Sequence, residues 1–175
     1  MAFNINEVKG KMIRGGVRQN LFEVRFDPSG NRGGPGASLV PFMCQATSLP
    51  ASEIGFIPVP YFGRTINLAG DRTFAPWSVQ VVNDPNFSIR ADLEGWHNAL
   101  NERVLNLRSQ QYAFAENYKI NADVIQYDQT GNILRKYRFV GAFPIAVGDI
   151  GLSWADNNSI EVFPVTFQYD YWTIA

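Results

Sequence analysis

Along most of its length the chain alternates apolar and polar positions with a period of two, the pattern of strands that keep one dry face and one wet face. From Asn20 to Phe26, the residues Phe22, Val24 and Phe26 fall on one side, with Leu21, Glu23 and Arg25 on the other. Leu39 to Ala46 reads as the strand returning from it, ended by Ser48-Leu49-Pro50, where proline withdraws a ladder donor. Tyr61 to Leu68 and Thr73 to Asn83 read as two further strands about a polar corner, Ala69-Gly70-Asp71-Arg72. In the second of these Trp77, Val79 and Val81 share a face. Asn121 to Tyr127 and Ile133 to Val140 flank Asp128-Gln129-Thr130-Gly131, a hairpin signal with glycine where a positive φ is wanted. A slip of one residue there would exchange the faces of Arg135, Lys136, Tyr137 and Arg138, so the cation that meets Asp123 stays open. Ile160 to Trp172 reads as one long strand, dry along Phe163, Val165, Phe167, Tyr169 and Tyr171 and wet along Thr166, Gln168 and Asp170. Its Pro164 argues for an edge or a bulge.

The period changes to that of a helix once with clarity. Asp84-Pro85-Asn86 is a helix entry, and Ile89, Leu93, Trp96 and Leu100 follow at helical spacing, predicting a helix over 87–101 with one stripe against the sheet. Asn4 and Glu7 form a weaker capping signal, so Ile5 to Ile13 reads as one or two turns before Gly15-Gly16. With Lys9, Lys11, Arg14 and Arg18 nearby, residues 1–18 read either as an arm reaching another subunit or as a frayed terminus.

Two stretches break the alternation through glycine and proline. Residues 27–38 form a glycine-rich hairpin tip, and without a Gly-Lys-Ser/Thr ending or a following helix they are no phosphate loop. Residues 50–63 carry Pro50, Pro58 and Pro60, which confines them to a sheet edge or a projecting loop, and they read as a projecting loop. Ile54, Phe56, Ile57, Val59, Tyr61 and Phe62 are too apolar for a free loop and require a surface to cover. These six, with Asp71 and Arg72 of the corner, are the candidate assembly interface.

Composition narrows the function more than it directs it. A chain of 175 residues that is 46% apolar fits one domain with an ordinary core. Fifteen basic against sixteen acidic residues give a net charge of -1, which supplies no general attraction for phosphates. Cys44 is the sole cysteine, excluding an internal disulfide and reading as a buried, inert thiol, and His97 is the sole histidine, leaving no imidazole pair for a metal. No nucleophile, base and orienting group fall into a recognisable constellation, so neither an enzyme nor a cofactor is expected. No apolar run approaches the roughly 18–20 residues of a membrane helix, and neither a signal peptide nor membrane binding is expected. The chain is 14% aromatic, and those rings either fill a β core or face a partner. A carbohydrate- or single-strand-binding β domain is the reading from another class; it would want cations among the rings, and only Arg135 to Arg138 come close.

Eight colinear pieces carry a resemblance: Asn20 to Val24, Cys44 to Pro50, Ile66 to Phe74, Trp77 to Asp84, Trp96 in the helix, Val147 to Trp154, Asp156-Asn157-Asn158, and Asp170-Tyr171-Trp172. In these the chain resembles the tail tube proteins of T4-like contractile-tailed bacteriophages, from Asn20 onward. It departs from them in a longer glycine-rich tip at Ser29 to Ser38 and in the extra Thr173-Ile174-Ala175 at the end. The resemblance implies a mainly β, single-domain antiparallel sandwich or barrel-like fold with one flanking helix. It further implies hexameric rings stacked into a hollow tube, adjacent subunits contributing strands to a continuous inner barrel. DNA would pass through without specific binding, and a conduit for a polyanion calls for an acidic or neutral-polar lumen. The implied partners are other copies of the chain, a sheath protein, a tape-measure protein, a baseplate initiator and a tail terminator. The implied location is the virion tail, assembled in the host bacterial cytoplasm. A baseplate tube-initiation protein and the tube of a phage-derived injection device share this architecture and remain alternatives.

Overall fold

The computed structural model describes residues 5, 9, 10, 16–27 and 43–175. The expected arm over 1–18 and the tip over 27–38 therefore lie largely outside the described residues, as does 39–42 of the expected return strand. Nine described strands, β1 (Phe22–Asp27), β2 (Cys44–Thr47), β3 (Glu53–Tyr61), β4 (Arg64–Thr73), β5 (Trp77–Val82), β6 (Ile120–Tyr127), β7 (Ile133–Val147), β8 (Val162–Gln168) and β9 (Tyr171–Ile174), are joined by helix α1 (Ser88–Leu100) and the single turn α2 (Ala115–Tyr118). The mainly β, antiparallel architecture with one flanking helix is the one expected.

Seven strands form a folded sheet in the order β1-β6-β7-β8-β5-β2, with β9 added to β7. The fold is made by β7, which pairs with β6 and β9 through its first part and with β8 through its last. It turns at Gly141, φ 70°, where an added Cβ would collide with the Asp170 carboxylate. One layer is thus β1-β6-β7-β9 and the other β7-β8-β5-β2. Their inner faces meet in a core where Trp77 stacks on Phe139 at 4.3 Å between centroids and tilts against Phe167 and Phe26. Val79, Val81, Phe163 and Val165 are completely buried beside them, as the period of two predicted.

Helix α1 closes this core. The Asp84 carboxylate accepts from the backbone N–H groups of Ser88 and Ile89, each at 3.2 Å, and from the Ser88 hydroxyl at 2.8 Å. Those bonds satisfy donors that the first helical turn leaves unpaired. Leu93 and Trp96 are fully buried, while Ile89 and Leu100 pack at the margin of the same cluster. The stripe is the expected one.

Several strand readings change. β2 pairs with β5 and β1 with β6, so among the described residues the two strands flanking the glycine-rich segment are not each other's partners but edges of different layers. The long terminal strand is two, because after Tyr169 the chain crosses from β8 in one layer to β9 in the other. Tyr171 consequently leaves the dry side and stands 47% exposed. Pro164 lies within β8, paired with Gln80 of β5 and, on its other side, one residue past the last β7 pair, Val147 with Val165, where its carbonyl accepts from the Gly148 N–H; the bulge of β7 at Pro144/Ala146 faces Phe167 and Thr166 instead. The open register closes on Arg138, which lies directly across from Asp123.

Candidate functional site

β3 and β4 form a two-stranded hairpin separate from the main sheet. Every residue of β3 is exposed, as is every residue of β4 except Gly70. The sequence reading of 50–63 as a projecting loop is thereby corrected: Glu53 to Tyr61 is an edge strand, which is how it accommodates Pro58 and Pro60. The expected corner is also absent. The chain stays in β4 through Ala69, Gly70, Asp71 and Arg72, with a bulge where Gly70 and Asp71 together lie across from Gly55, and the turn lies earlier, at Phe62-Gly63. Asp71 and Arg72 form no ion pair with each other among the described residues, since neighbours in a strand point to opposite faces.

The turn has two left-handed residues, Phe62 at φ 41° and Gly63 at φ 81°, the requirement of a two-residue hairpin loop that matches strand twist. Glycine adopts that geometry freely. Phenylalanine does so at a cost of about 1–2 kcal/mol. Phe62 is nevertheless 92% exposed, resting only edge-on against Tyr61 at 4.7 Å. A strained, exposed ring at the tip is a feature that the protomer alone does not explain.

Register sorts the remaining candidates. Ile57 faces Leu68, Val59 faces Ile66 and Tyr61 faces Arg64, which places Ile57, Val59, Tyr61, Ile66 and Leu68 on one apolar face. Phe56 faces Ala69 and belongs to the opposite face with Pro58, Pro60, Thr65 and Asn67. Ile54 lies beyond a bulge, across from Arg72, where Gly55 and Gly70 approach too closely for a side chain without adjustment at Gly70. Of the eight proposed interface residues, the hairpin thus brings Ile57, Val59 and Tyr61 together, sets Phe62 at the tip, and separates Phe56, Ile54, Asp71 and Arg72 from them. Sequence reasoning missed Ile66 and Leu68. Their alternation was visible, but without the turn at Phe62-Gly63 nothing folded them back onto Val59 and Ile57.

The outer faces of the two layers differ in charge. On the β1-β6-β7-β9 layer, Asp123 is 5% exposed and receives Arg138 at 2.8 Å and Lys136 at 2.9 Å. Burial pushes its carboxyl up, but the hydrogen bonds and charges of Arg138 and Lys136 outweigh that and hold it below its ordinary value. Beside it Glu23 pairs with Arg25 at 2.7 Å and accepts from the Tyr127 hydroxyl, and the bond from Arg25 foremost holds its carboxyl low. The wet rows of β5 and β8 on the other layer, Ser78, Gln80, Val82, Val162, Pro164, Thr166 and Gln168, contain no charged residue.

Nothing described is arranged for covalent chemistry. Cys44 is half-buried rather than buried, and desolvation pushes its thiol up to about 12. His97 is exposed on α1. No group of three or more potential metal ligands occurs among the described residues, and no described helix is long and apolar enough to cross a membrane.

The family model described as phage tail tube protein matches residues 17–175. Tail tube protein gp19 of Enterobacteria phage T4 is 35% identical over 157 residues, 89% of this chain and 90% of that one. The tail tube protein of Serratia phage KSP90 is 26% identical over 168 residues, covering 94% and 93% of the two chains. Among solved structures, a chain of the PVC extracellular contractile injection system sheath-tube complex matches over 99% of both chains with a TM-score of 0.63 at 15% identity. A chain of the PVC sheath/tube terminator matches at 0.65 and 17% identity, covering 91% of this chain and 96% of that one. At such identities the structural likeness is one of fold, whereas family model and sequence relatives converge on one assignment: the chain belongs to the phage tail tube protein family.

Proposed function

We propose that this chain is the repeating structural subunit of a phage tail tube, in which copies close into hexameric rings and the rings stack into a hollow conduit for DNA. The observation that carries the reading is the hairpin of β3 and β4. Its five-residue apolar face is open to solvent in the protomer, and a soluble single chain gains nothing from leaving Ile57, Val59, Ile66 and Leu68 uncovered. Burying such a face against a neighbouring copy supplies the drive for assembly, and a repeated, non-self-complementary contact generates rings and filaments. The candidate interface is therefore this face with Phe62 at its tip.

The uncharged outer rows of β5 and β8 are the surface suited to line the bore. Ser78, Gln80, Thr166 and Gln168 offer hydrogen bonds to water without neutralising phosphates, so DNA would meet no ladder of cations along the axis. The charged layer around Asp123 then faces away from it. Relatives that are themselves phage tail tube proteins, at 35% and 26% identity, favour a DNA-carrying tail over an injection device. Sheath, baseplate initiator, terminator and tape-measure proteins are the proposed partners, the virion tail the proposed location, and the host cytoplasm the proposed site of assembly. The role is structural, without catalysis.

Electron microscopy of the concentrated, purified protein tests this directly. Six-fold hollow rings or tubes are expected, with β5 and β8 on the inner wall. A protein that stays monomeric at high concentration, or tubes lined by the Asp123 layer, would overturn the corresponding part.

A further inference from the structure

Helix α1 has an exposed apolar loop at each end, and the two loops differ in charge. At its N-terminal end the loop over 148–160 is anchored on both flanks: Arg90 donates to the Gly148 carbonyl at 3.1 Å, and the Asn83 amide donates to the Glu161 carboxylate at 2.8 Å. Between those anchors Trp154 sits wholly exposed on a turn in which the Asp156 N–H donates to the Ser153 carbonyl, and Leu152 and Ile160 are largely exposed as well. The loop holds Asp149 and Asp156 and no cation. Leu152, Ile160, Asp156 and Glu161 are in the wall of a hollow of about 370 Å³, apolar with an acidic rim.

The loop at the C-terminal end of α1 is the complement. The Ser109 N–H donates to the Ala99 carbonyl at 3.0 Å and Arg108 to the Leu100 carbonyl at 3.3 Å, which folds residues 101–109 back onto the last helical turn. Val104, Leu105 and Leu107 are each more than half exposed. Here the cations Arg103 and Arg108 outnumber the one acid, Glu102. Arg103 reaches Glu94 only at 3.9 Å and keeps 68% of its side chain exposed, so a cation stands ready beside Val104 and Leu105. The thirteen residues of α1, rising about 1.5 Å each, set the two loops about 20 Å apart along one axis. Among the described residues nothing covers either set of apolar side chains.

We propose that the Trp154 loop of one copy seats on the Arg103-Val104-Leu105 turn of a second copy, end to end along α1, and that this pair of loops is a stacking contact between rings. The inference rests on the reading of the chain as a tube subunit and adds to it a contact separate from the hairpin. One heterologous contact closes a ring or draws out a single filament, so a stack of rings needs another in a second direction. The two loops meet that need. Their apolar side chains supply the buried area, with a tryptophan as the anchor, and the acidic rim against Arg103 fixes which end meets which. Like ends repel or leave Trp154 bare, and each added copy presents a fresh pair of ends.

Two variants, one for each end, test the pairing. In sedimentation and electron microscopy across a concentration series, Trp154→Asp and Leu105→Asp should each raise the threshold for tubes about ten-fold or more. Their mixture is the sharper experiment. Trp154→Asp copies keep an intact Leu105 end and Leu105→Asp copies an intact Trp154 end, so together they should form stacked pairs that grow no further. Tubes at the parent threshold from both variants would overturn the proposal, as would a mixture that pairs no better than either variant alone. Val59→Asp in the same series keeps the failures apart. If it abolishes tubes while the loop variants do not, the hairpin remains the interface and the loop contact is wrong; if the loop variants abolish tubes and Val59→Asp does not, the hairpin reading falls and this one stands. Should a loop variant not fold, iodide quenching of the unaltered protein decides, because Trp77 and Trp96 are buried and Trp154 is the wholly exposed indole among the described residues. Loss of quenching on assembly supports the contact, and equal quenching of monomer and tube contradicts it.

Discussion

The hairpin of β3 and β4 and the sandwich beneath it are made of the same residue types in the same alternation, yet one buries its apolar face and the other presents it. β5 reads Trp-Ser-Val-Gln-Val-Val, and its Trp77, Val79 and Val81 are at most 2% exposed. β3 offers Ile57, Val59 and Tyr61 at the same spacing, and they are 40–63% exposed. Alternation therefore specifies a strand and a face, and says nothing about which chain will cover that face. An isolated two-stranded hairpin is marginal in water. The sandwich covers its apolar face within its own chain; on the function proposed above, the hairpin's is covered by another copy.

The largest effect on stability should come from the sandwich. Trp77→Ala removes the ring at the centre of the aromatic cluster and the Nε1 donor to the Thr47 hydroxyl, and should cost about 4 kcal/mol in chemical denaturation. A loss comparable to a surface substitution would break the claim that this layer carries the fold. Gly141→Ala should follow at about 3 kcal/mol, since alanine at φ 70° is strained and its Cβ meets the Asp170 carboxylate, which is held by Lys119 at 2.6 Å. That variant tests whether the bend in β7 is what lets one strand serve two layers.

The charged outer layer sharpens the comparison by pH. Asp123 and Glu23 both titrate below their ordinary values, 3.8 and 4.5. Their contribution is thus present above the unfolded values and is lost as pH falls through the lower folded ones. Denaturation midpoints should be flat from neutral pH to about 5 and fall below about 4. Asp123→Asn should cost about 2 kcal/mol at neutral pH and flatten that acid limb, because Arg138 and Lys136 lose their shared partner in a partly solvated site.

The smallest protomer effect belongs to the tip, and it is favourable. Phe62→Asn creates Asn-Gly at the two left-handed positions and should steady the isolated hairpin by about 1 kcal/mol, read as slower exchange of its amides. The same change should weaken assembly. A tip whose relief leaves polymerisation untouched would mean that Phe62 is not a contact.

Much of the sandwich was legible because its signals are local. Trp77, Val79 and Val81 alternate without interruption, Asp84 caps α1 four residues before Ser88, and Gly131 sits where the β6–β7 turn requires φ 83°. What stayed hidden was decided by tertiary pairing. Nothing near Tyr169 and Asp170 signals a change of layer, nor does anything in Cys44 to Thr47 choose β5 over β1. Gly141 was an unremarked glycine until β7 proved to continue through it. Candidate interface residues were found by their apolarity, but their sorting into faces needed the turn at Phe62-Gly63, and phenylalanine is a residue that turn rules do not select. Asp71 and Arg72 were placed at a corner for their polarity, whereas an exposed strand carries such residues equally well.

Val59→Asp tests the central contrast most directly, because it places a charge in the middle of the hairpin's apolar face, on a strand that pairs with no strand of the sandwich. Sedimentation with electron microscopy, alongside thermal unfolding of the monomer, should find a melting temperature within about 2 °C of the parent chain and no rings or tubes at any concentration. Tubes of normal appearance at the parent concentration would contradict the account and return the hairpin to the status of an ornament on a self-sufficient fold.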